Sequence, residues 1–159
     1  MPSDHREAEI ELHTLTKNYA DLFATLSPDT LDQLAARLSE EVIFTDPFNI
    51  LRGRQEFIAI FAHMFAVMDR PAFAILDVAA SEKAGYIKWE MTGCLKSRPS
   101  FEVKLVGMSE LVFDEAGLLL AHHDHWDSAH QLLQHIPIGG WFVRKLLGLF
   151  ALPAKYKNR

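Results

Sequence analysis

The sequence is poor in the features that mark secreted and membrane-spanning proteins. It holds a single cysteine, Cys94, among 159 residues, so no disulfide can form within the chain and nothing indicates an oxidising compartment. Its apolar runs are much shorter than the ~20 residues that a membrane-spanning helix needs. The polar N-terminus lacks the apolar segment of a signal peptide. We therefore expect a cytoplasmic protein.

Basic charge is also scarce in most of the chain. There are 16 basic and 21 acidic residues, and five of the basic residues but none of the acidic ones lie in residues 128–159. The first 127 residues therefore carry a net charge of −10, which should repel nucleic acid. The sequence has no glycine-rich phosphate loop and no G-x-S-x-G motif, so nucleotide and serine hydrolysis are not supported.

Apolar residues make up 49% of the chain, and their spacing predicts an α+β fold. A 3.6-residue period predicts helices over residues 6–26, from Ser27 through Leu38, and over 54–68. Alternation predicts a short strand at 42–45 and a four-stranded antiparallel meander at 72–80, 85–95, 101–113 and 118–127. Asp114 to Gly117 reads as the turn before the last strand.

This order of elements predicts a cone-shaped α+β roll, with N-terminal helices packed on a curved antiparallel sheet around an apolar cavity. We expect a pocket domain over residues 1–127. The sequence predicts a C-terminal helical extension over residues 128–159, broken at Pro137 and at Gly139-Gly140, resuming over 141–151 and stopped by Pro153. We expect the extension to pack on the same domain or on a second subunit; a lid over the pocket and an anchor on anionic lipid are the alternatives.

Two stretches of sequence resemble a known family. They are Phe44-Thr45-Asp46-Pro47-Phe48 with Arg52-Gly53-Arg54, and Val112-Phe113-Asp114-Glu115-Ala116-Gly117 with Asp124-His125-Trp126-Asp127. Over about residues 8–128 the chain resembles the SnoaL-like and ketosteroid isomerase-like branch of the nuclear transport factor 2-like superfamily. The resemblance implies a roll with a ligand pocket, a homodimer and chemistry without a cofactor. It says less about activity, because this fold hosts many functions.

Asp46 falls where ketosteroid isomerases keep their general-base aspartate. A base there would be a carboxylate at the pocket mouth, partly removed from water. The alternative is an aspartate that caps the following turn, or that pairs with Arg52 or Arg54.

Tyr19 and Ser109 occupy two further positions of that resemblance. Tyr19 could match the tyrosine that donates to a developing oxyanion, or it could be a core tyrosine. Ser109 stands in the place of the second oxyanion-hole acid, and a serine cannot replace a protonated, buried carboxylic acid. Steroid isomerisation is therefore not carried over to this chain.

The last predicted strand supplies a second set of candidates. His122, Asp124 and Trp126 share one face by alternation, and the resemblance places that face toward the pocket. His122 and Asp124 could act as a base and its orienting partner, as in polyketide cyclases and dehydratases of the family, or could simply satisfy one another. The residues that we expect to contact the ligand are Phe48, Phe61, Trp89, Leu105, Ser109 and Trp126.

A metal site is the weaker interpretation of the same strand. His123 and His125 could share a metal with Asp127 or His130, but no other ligand cluster supports it, so we expect neither metal nor cofactor. Three functional hypotheses follow. The first is a cofactor-free isomerase, cyclase or dehydratase that acts on an apolar substrate with Asp46 as base. The others are a non-catalytic binding protein for a lipid-like or polyketide-like ligand, and a dimeric interaction module.

Overall fold

The computed structural model describes residues 2–135 and 139–150, and the side chains of residues 8–135 and 139–145. The chain divides into two compact units, Met1–Trp126 and Asp127–Arg159. The first unit is an α+β roll, as predicted, with helices on a curved six-stranded sheet.

The helices of the first unit are α1 (Pro2–Ala24), α2 (Leu31–Ala35) and α3 (Arg54–Val67), with a 3-10 turn at Pro28–Thr30. One face of α1 is buried, through Thr16, Tyr19, Ala20 and Phe23, which follows the helical period. Gly85 allows α1 to lie close to the sheet, because a Cβ there would come 1.9 Å from Thr16 Oγ1.

The sheet strands are β1 (Leu38–Thr45), β2 (Ile50–Arg52), β3 (Met68–Ala80), β4 (Gly85–Leu95), β5 (Arg98–Phe113) and β6 (Leu119–Trp126). Their order is β2-β1-β6-β5-β4-β3. The predicted meander is confirmed in β3 to β6, where each strand pairs antiparallel with the next. β1 joins it by pairing parallel with β6, which places the N-terminal strand beside His122.

Two predictions at the start of this sheet were wrong. Leu38 was expected to end the second helix, but it begins β1 and pairs with Leu119. Burial on a helix and burial on a strand give a single leucine the same signal, and the pairing with β6 decides between them. β2 was missed because it has only three residues and Ile50 is 82% exposed. β3 and β5 also begin before the predicted residues, because hairpin pairing extends them to Met68 and Arg98.

The inward faces of β4 and β5 contribute much of the sheet side of the core of the first unit. Ile87, Trp89 and Met91 alternate with more exposed residues along β4, as the period of two predicts. Val103, Leu105, Ser109 and Leu111 do the same along β5.

The second unit contains α4 (Ser128–Gln131), a 3-10 turn at Leu133–His135 and α5 (Gly140–Phe150). Asp127 caps α4 by accepting a hydrogen bond from the backbone N–H of His130 at 3.0 Å. The predicted break at Pro137, the helix end near Ala151 and the stop at Pro153 lie outside the described residues. Of the helices that the structure describes, none has both the length and the apolar character needed to cross a membrane.

Candidate functional site

An apolar cavity of about 170 Å³ opens in the first unit between α3 and the sheet. Its lining residues are Phe44, Asp46, Ile60, Phe61, Met64, Phe73, Trp89, Met91, Leu105, Asp124 and Trp126. Hollows of about 330 and 420 Å³ elsewhere are larger, but half of their lining residues are charged and none is a predicted site residue. The smaller cavity is the candidate site, because ligand pockets are mostly apolar with a few convergent polar groups.

Asp124 is the best-supported polar group of this cavity. Its Oδ1 accepts a hydrogen bond from Ser109 Oγ at 2.5 Å and lies 2.8 Å from His122 Nε2. The side chain is 13% exposed. No side chain or backbone group in the described part of the chain donates to Oδ2. The carboxylate is thus held by one oxygen and is free to meet a ligand with the other.

His122 connects Asp124 to Tyr19. The imidazole is fully buried, and its Nδ1 lies 2.9 Å from the Tyr19 hydroxyl. An ionised carboxylate can only accept, so the ring proton is assigned to Nε2, and Nδ1 then accepts from Tyr19. One neutral tautomer satisfies both contacts. Four aromatic rings surround the imidazole at centroid distances of 5.4–5.8 Å, those of Tyr19, Phe23, Phe44 and Phe57.

Ser109 connects Asp124 to Trp89 on the other side. Trp89 Nε1 donates to Ser109 Oγ at 2.9 Å, which leaves the serine proton for Asp124. The sheet register makes this possible, because Ser109 and Asp124 are direct partners across β5 and β6. Gly107 makes room for the indole, since a Cβ there would lie 2.6 Å from the Trp89 ring.

Tyr19 is held as a hydrogen-bond donor by its surroundings. Burial raises the pKa of the Tyr19 hydroxyl well above its usual range, and the negative charge of Asp124 raises it further. The hydroxyl therefore keeps its proton and donates a hydrogen bond to His122 Nδ1. The five residues Trp89, Ser109, Asp124, His122 and Tyr19 form one hydrogen-bonded chain, called the relay below, whose donors all point toward Asp124.

Asp46, the other carboxylate of the cavity, organises a turn. Its Oδ1 accepts from the backbone N–H groups of Phe48 at 2.8 Å and Asn49 at 2.6 Å, and Asn49 Nδ2 lies 3.0 and 3.1 Å from its two oxygens. The geometry is that of an aspartate capping the following turn. Arg52 and Arg54, the other partners that the sequence suggested for Asp46, instead contact Glu41 and Glu40.

The sequence comparison identifies the family. The model of the SnoaL-like domain matches residues 19–122. The chain belongs to this family. The matched segment of the SnoaL-like domain begins at Tyr19 and ends at His122, the two residues joined by the 2.9 Å contact. No curated protein matches the sequence.

Solved structures share the fold of this SnoaL-like domain at low identity. A ketosteroid isomerase-like protein from Catenulispora acidiphila, in complex with trimethylamine, has 13% identity and a TM-score of 0.65 over 74% of this chain and 91% of its own. An LEH-like epoxide hydrolase of Mycobacterium tuberculosis has 14% identity and a TM-score of 0.62 over 87% and 98%. Another M. tuberculosis protein, in complex with estradiol-17beta-hemisuccinate, has 11% identity and a TM-score of 0.59 over 71% and 94%.

The SnoaL-like domain brings most of the predicted site residues together. Phe61, Trp89, Leu105 and Trp126 line the cavity with Asp46 and Asp124. His122, Ser109 and Tyr19 do not line it and lie behind Asp124 in the relay. Phe48 is 53% exposed on the β1–β2 loop, with its ring centroid 5.6 Å from that of Trp126.

Several residues that line the cavity were not predicted from the sequence. The missed lining residues are Phe44, Ile60, Met64, Phe73 and Met91. Gly107 was also missed, although a glycine at an inward position of an otherwise alternating strand is a signal of close approach. The described side chains contain no group of three or more His, Cys, Asp or Glu residues placed to hold a metal.

Proposed function

We propose that this SnoaL-like domain is a cofactor-free enzyme that moves a proton on a small organic substrate, in an isomerisation, cyclisation or dehydration, with Asp124 as general base. One observation carries the proposal. Asp124 Oδ1 receives hydrogen bonds from two buried side chains, while Oδ2 has no donor among the described residues and the carboxylate lines the cavity. A base needs this combination of fixed position and a free lone pair.

In the proposed step, Asp124 Oδ2 removes a proton from a substrate C–H bond, and the electron pair of that bond moves into the substrate. The carboxylic acid so formed returns the proton to a neighbouring substrate atom, or to a leaving hydroxyl group in a dehydration. His122 and Ser109 hold Oδ1 in place throughout. A positioned general base contributes about 10²- to 10⁴-fold to such a step.

Tyr19 is proposed to act through His122 as a positioning residue. Its hydroxyl contacts the imidazole rather than the cavity, so a role as oxyanion donor has less support than the resemblance implied. Asp46 lines the same cavity, but three of the four contacts to its carboxylate converge on Oδ1 and fix the turn at Phe48 and Asn49. We therefore assign the base to Asp124 and the shaping of the cavity mouth to Asp46.

The test is the ring opening of 5-nitrobenzisoxazole, a probe that reports a carboxylate base in an apolar pocket whatever the natural substrate. Removal of its C3 proton forms the nitrile and breaks the N–O bond, giving a coloured phenolate. We expect the purified protein to accelerate this reaction above buffer and Asp124→Asn to lower kcat/KM by about 10²-fold or more. Glu102→Gln, at an exposed position outside the cavity lining, is the matched control.

A second candidate function is a binding protein without chemistry. Ser109 favours it, because the position holds no second acid that could donate to an oxyanion. Stoichiometric binding of an apolar dye, with no ring opening above that of Asp124→Asn, would support this alternative and contradict the enzyme. The family resemblance also implies a homodimer, which native mass spectrometry of the purified protein would detect.

A further inference from the structure

We propose that the ligand of this cavity is a small organic cation, an ammonium ion with apolar substituents. The inference rests on the proposed function only in taking this cavity as the functional site, and it does not depend on catalysis. It is carried by the charge and the wall chemistry of the cavity.

The charges in the cavity wall are all of one sign. Among the described residues that line it, Asp46 and Asp124 are the only ionisable ones, and none is Lys, Arg or His. His122 does not line the cavity, because its two ring nitrogens contact Tyr19 and Asp124 behind the wall. A neutral ligand would therefore remove two carboxylates from water without bringing a countercharge into the cavity, and buried charges are costly unless they are paired.

The remaining wall suits the apolar part of such a cation. Five aromatic rings line the cavity, those of Phe44, Phe61, Phe73, Trp89 and Trp126. Aromatic faces attract organic ammonium ions, tryptophan most strongly, and protein sites for quaternary ammonium groups are built as aromatic cages. The thioethers of Met64 and Met91 add polarisable surface.

The size and the lining of the cavity favour a compact organic cation over a metal ion. A cavity of about 170 Å³ compares with the ~150 Å³ cavity known to hold benzene, so the ligand is compact. The described residues contain no group of three or more His, Cys, Asp or Glu placed to hold a metal ion. In the combined site, Asp46 neutralises the ammonium group and Asp124 remains available as the base.

Isothermal titration calorimetry with two ligands of the same shape tests this inference on the unaltered protein. The probes are choline and 3,3-dimethylbutan-1-ol, which differ in having a charged nitrogen or a neutral carbon at the branch. We expect choline to bind at least about tenfold more tightly, because only choline carries a charge that the two carboxylates and the aromatic faces attract. Equal or tighter binding of the alcohol, or no binding of choline at millimolar concentration, would overturn the inference.

Variants assign the preference to the cavity. Asp46→Asn should weaken choline binding about threefold, the size of one partly exposed ion pair, while leaving the affinity for the alcohol unchanged, and Glu102→Gln should change neither affinity. A choline preference that is undiminished in the double variant Asp46→Asn/Asp124→Asn would overturn the inference. Binding preference and turnover are measured separately. Ring opening without a preference for choline would refute the cationic ligand. A preference for choline without ring opening would refute Asp124 as the base.

Discussion

Ser109 and Asp124 face each other across β5 and β6, and the serine hydroxyl lies 2.5 Å from Asp124 Oδ1. Trp89 donates to the same serine at 2.9 Å, so the hydroxyl is both acceptor and donor while fully buried. Ser109, where the resemblance led us to expect a second acid, thus supports the carboxylate on the neighbouring strand.

Replacing Ser109 by alanine should weaken both the fold and the site. The variant leaves the buried Trp89 N–H without an acceptor, which costs about 1–3 kcal/mol of unfolding free energy, and it frees one side of Asp124. Urea unfolding and probe ring opening measure the two effects. Ser39→Ala is the matched control, because Ser39 Oγ is buried without a hydrogen-bond partner in the described structure. Equal unfolding free energies for the two variants would contradict the supporting role of Ser109.

Tyr19→Phe should change the stability of the protein at alkaline pH. The pKa of Tyr19 in the folded protein is raised above its ordinary value of 10.0, which applies to the unfolded chain. At pH values between the unfolded and the folded pKa, unfolding therefore releases a proton from Tyr19. The stability that comes from this difference in pKa is fully present below pH 10.0. It falls by about 1.4 kcal/mol per pH unit as the pH rises toward the folded pKa.

The measurement is the unfolding free energy of wild type and Tyr19→Phe from pH 8 to 11. The difference between the two proteins should narrow only at the alkaline end. Tyr86→Phe, on the half-buried position of β4, controls for loss of a tyrosine hydroxyl. A constant difference across the range would show that Tyr19 is not held protonated by the fold.

Gly107→Ala should displace Trp89. The added methyl group would lie 2.6 Å from the indole and 3.0 Å from Trp126 Cβ, and overpacking of this kind costs about 1–3 kcal/mol. Shifted tryptophan fluorescence and a lower unfolding free energy are the expected results. Gly139→Ala is the control, because a Cβ there meets no atom within 4 Å. An unchanged emission spectrum in Gly107→Ala would contradict the close packing of Trp89 on β5.

Much of the fold could be predicted from the sequence because its signals are local. The alternation of Ile87, Trp89 and Met91 and the turn at Asp114 to Gly117 each lie within a short window, and both were confirmed. The parallel pairing of β1 with β6 could not be predicted in this way, since it depends on contacts between residues such as Phe44 and His122.

The relay was harder to predict than the fold. Alternation correctly placed His122 and Asp124 on one face, but the link from Tyr19 to His122 spans 103 residues. The role of Ser109 depends on the register between β5 and β6. Sequence periodicity does not fix this register, because a shift of the pairing by two residues keeps the same side chains on the buried face. For Asp46, the sequence left a base and a turn cap as alternatives, and only the positions of the Phe48 and Asn49 amides revealed the cap.

The most direct test of the account compares Asp124→Asn with Asp46→Asn in the ring opening of 5-nitrobenzisoxazole, with folding of both variants verified by circular dichroism. Both changes remove one carboxylate from the same cavity, so they are matched in charge and volume. The account predicts that Asp124→Asn loses about 10²-fold or more in kcat/KM, whereas Asp46→Asn loses less than about tenfold. The opposite order would make Asp46 the base and contradict the assignment of Asp124.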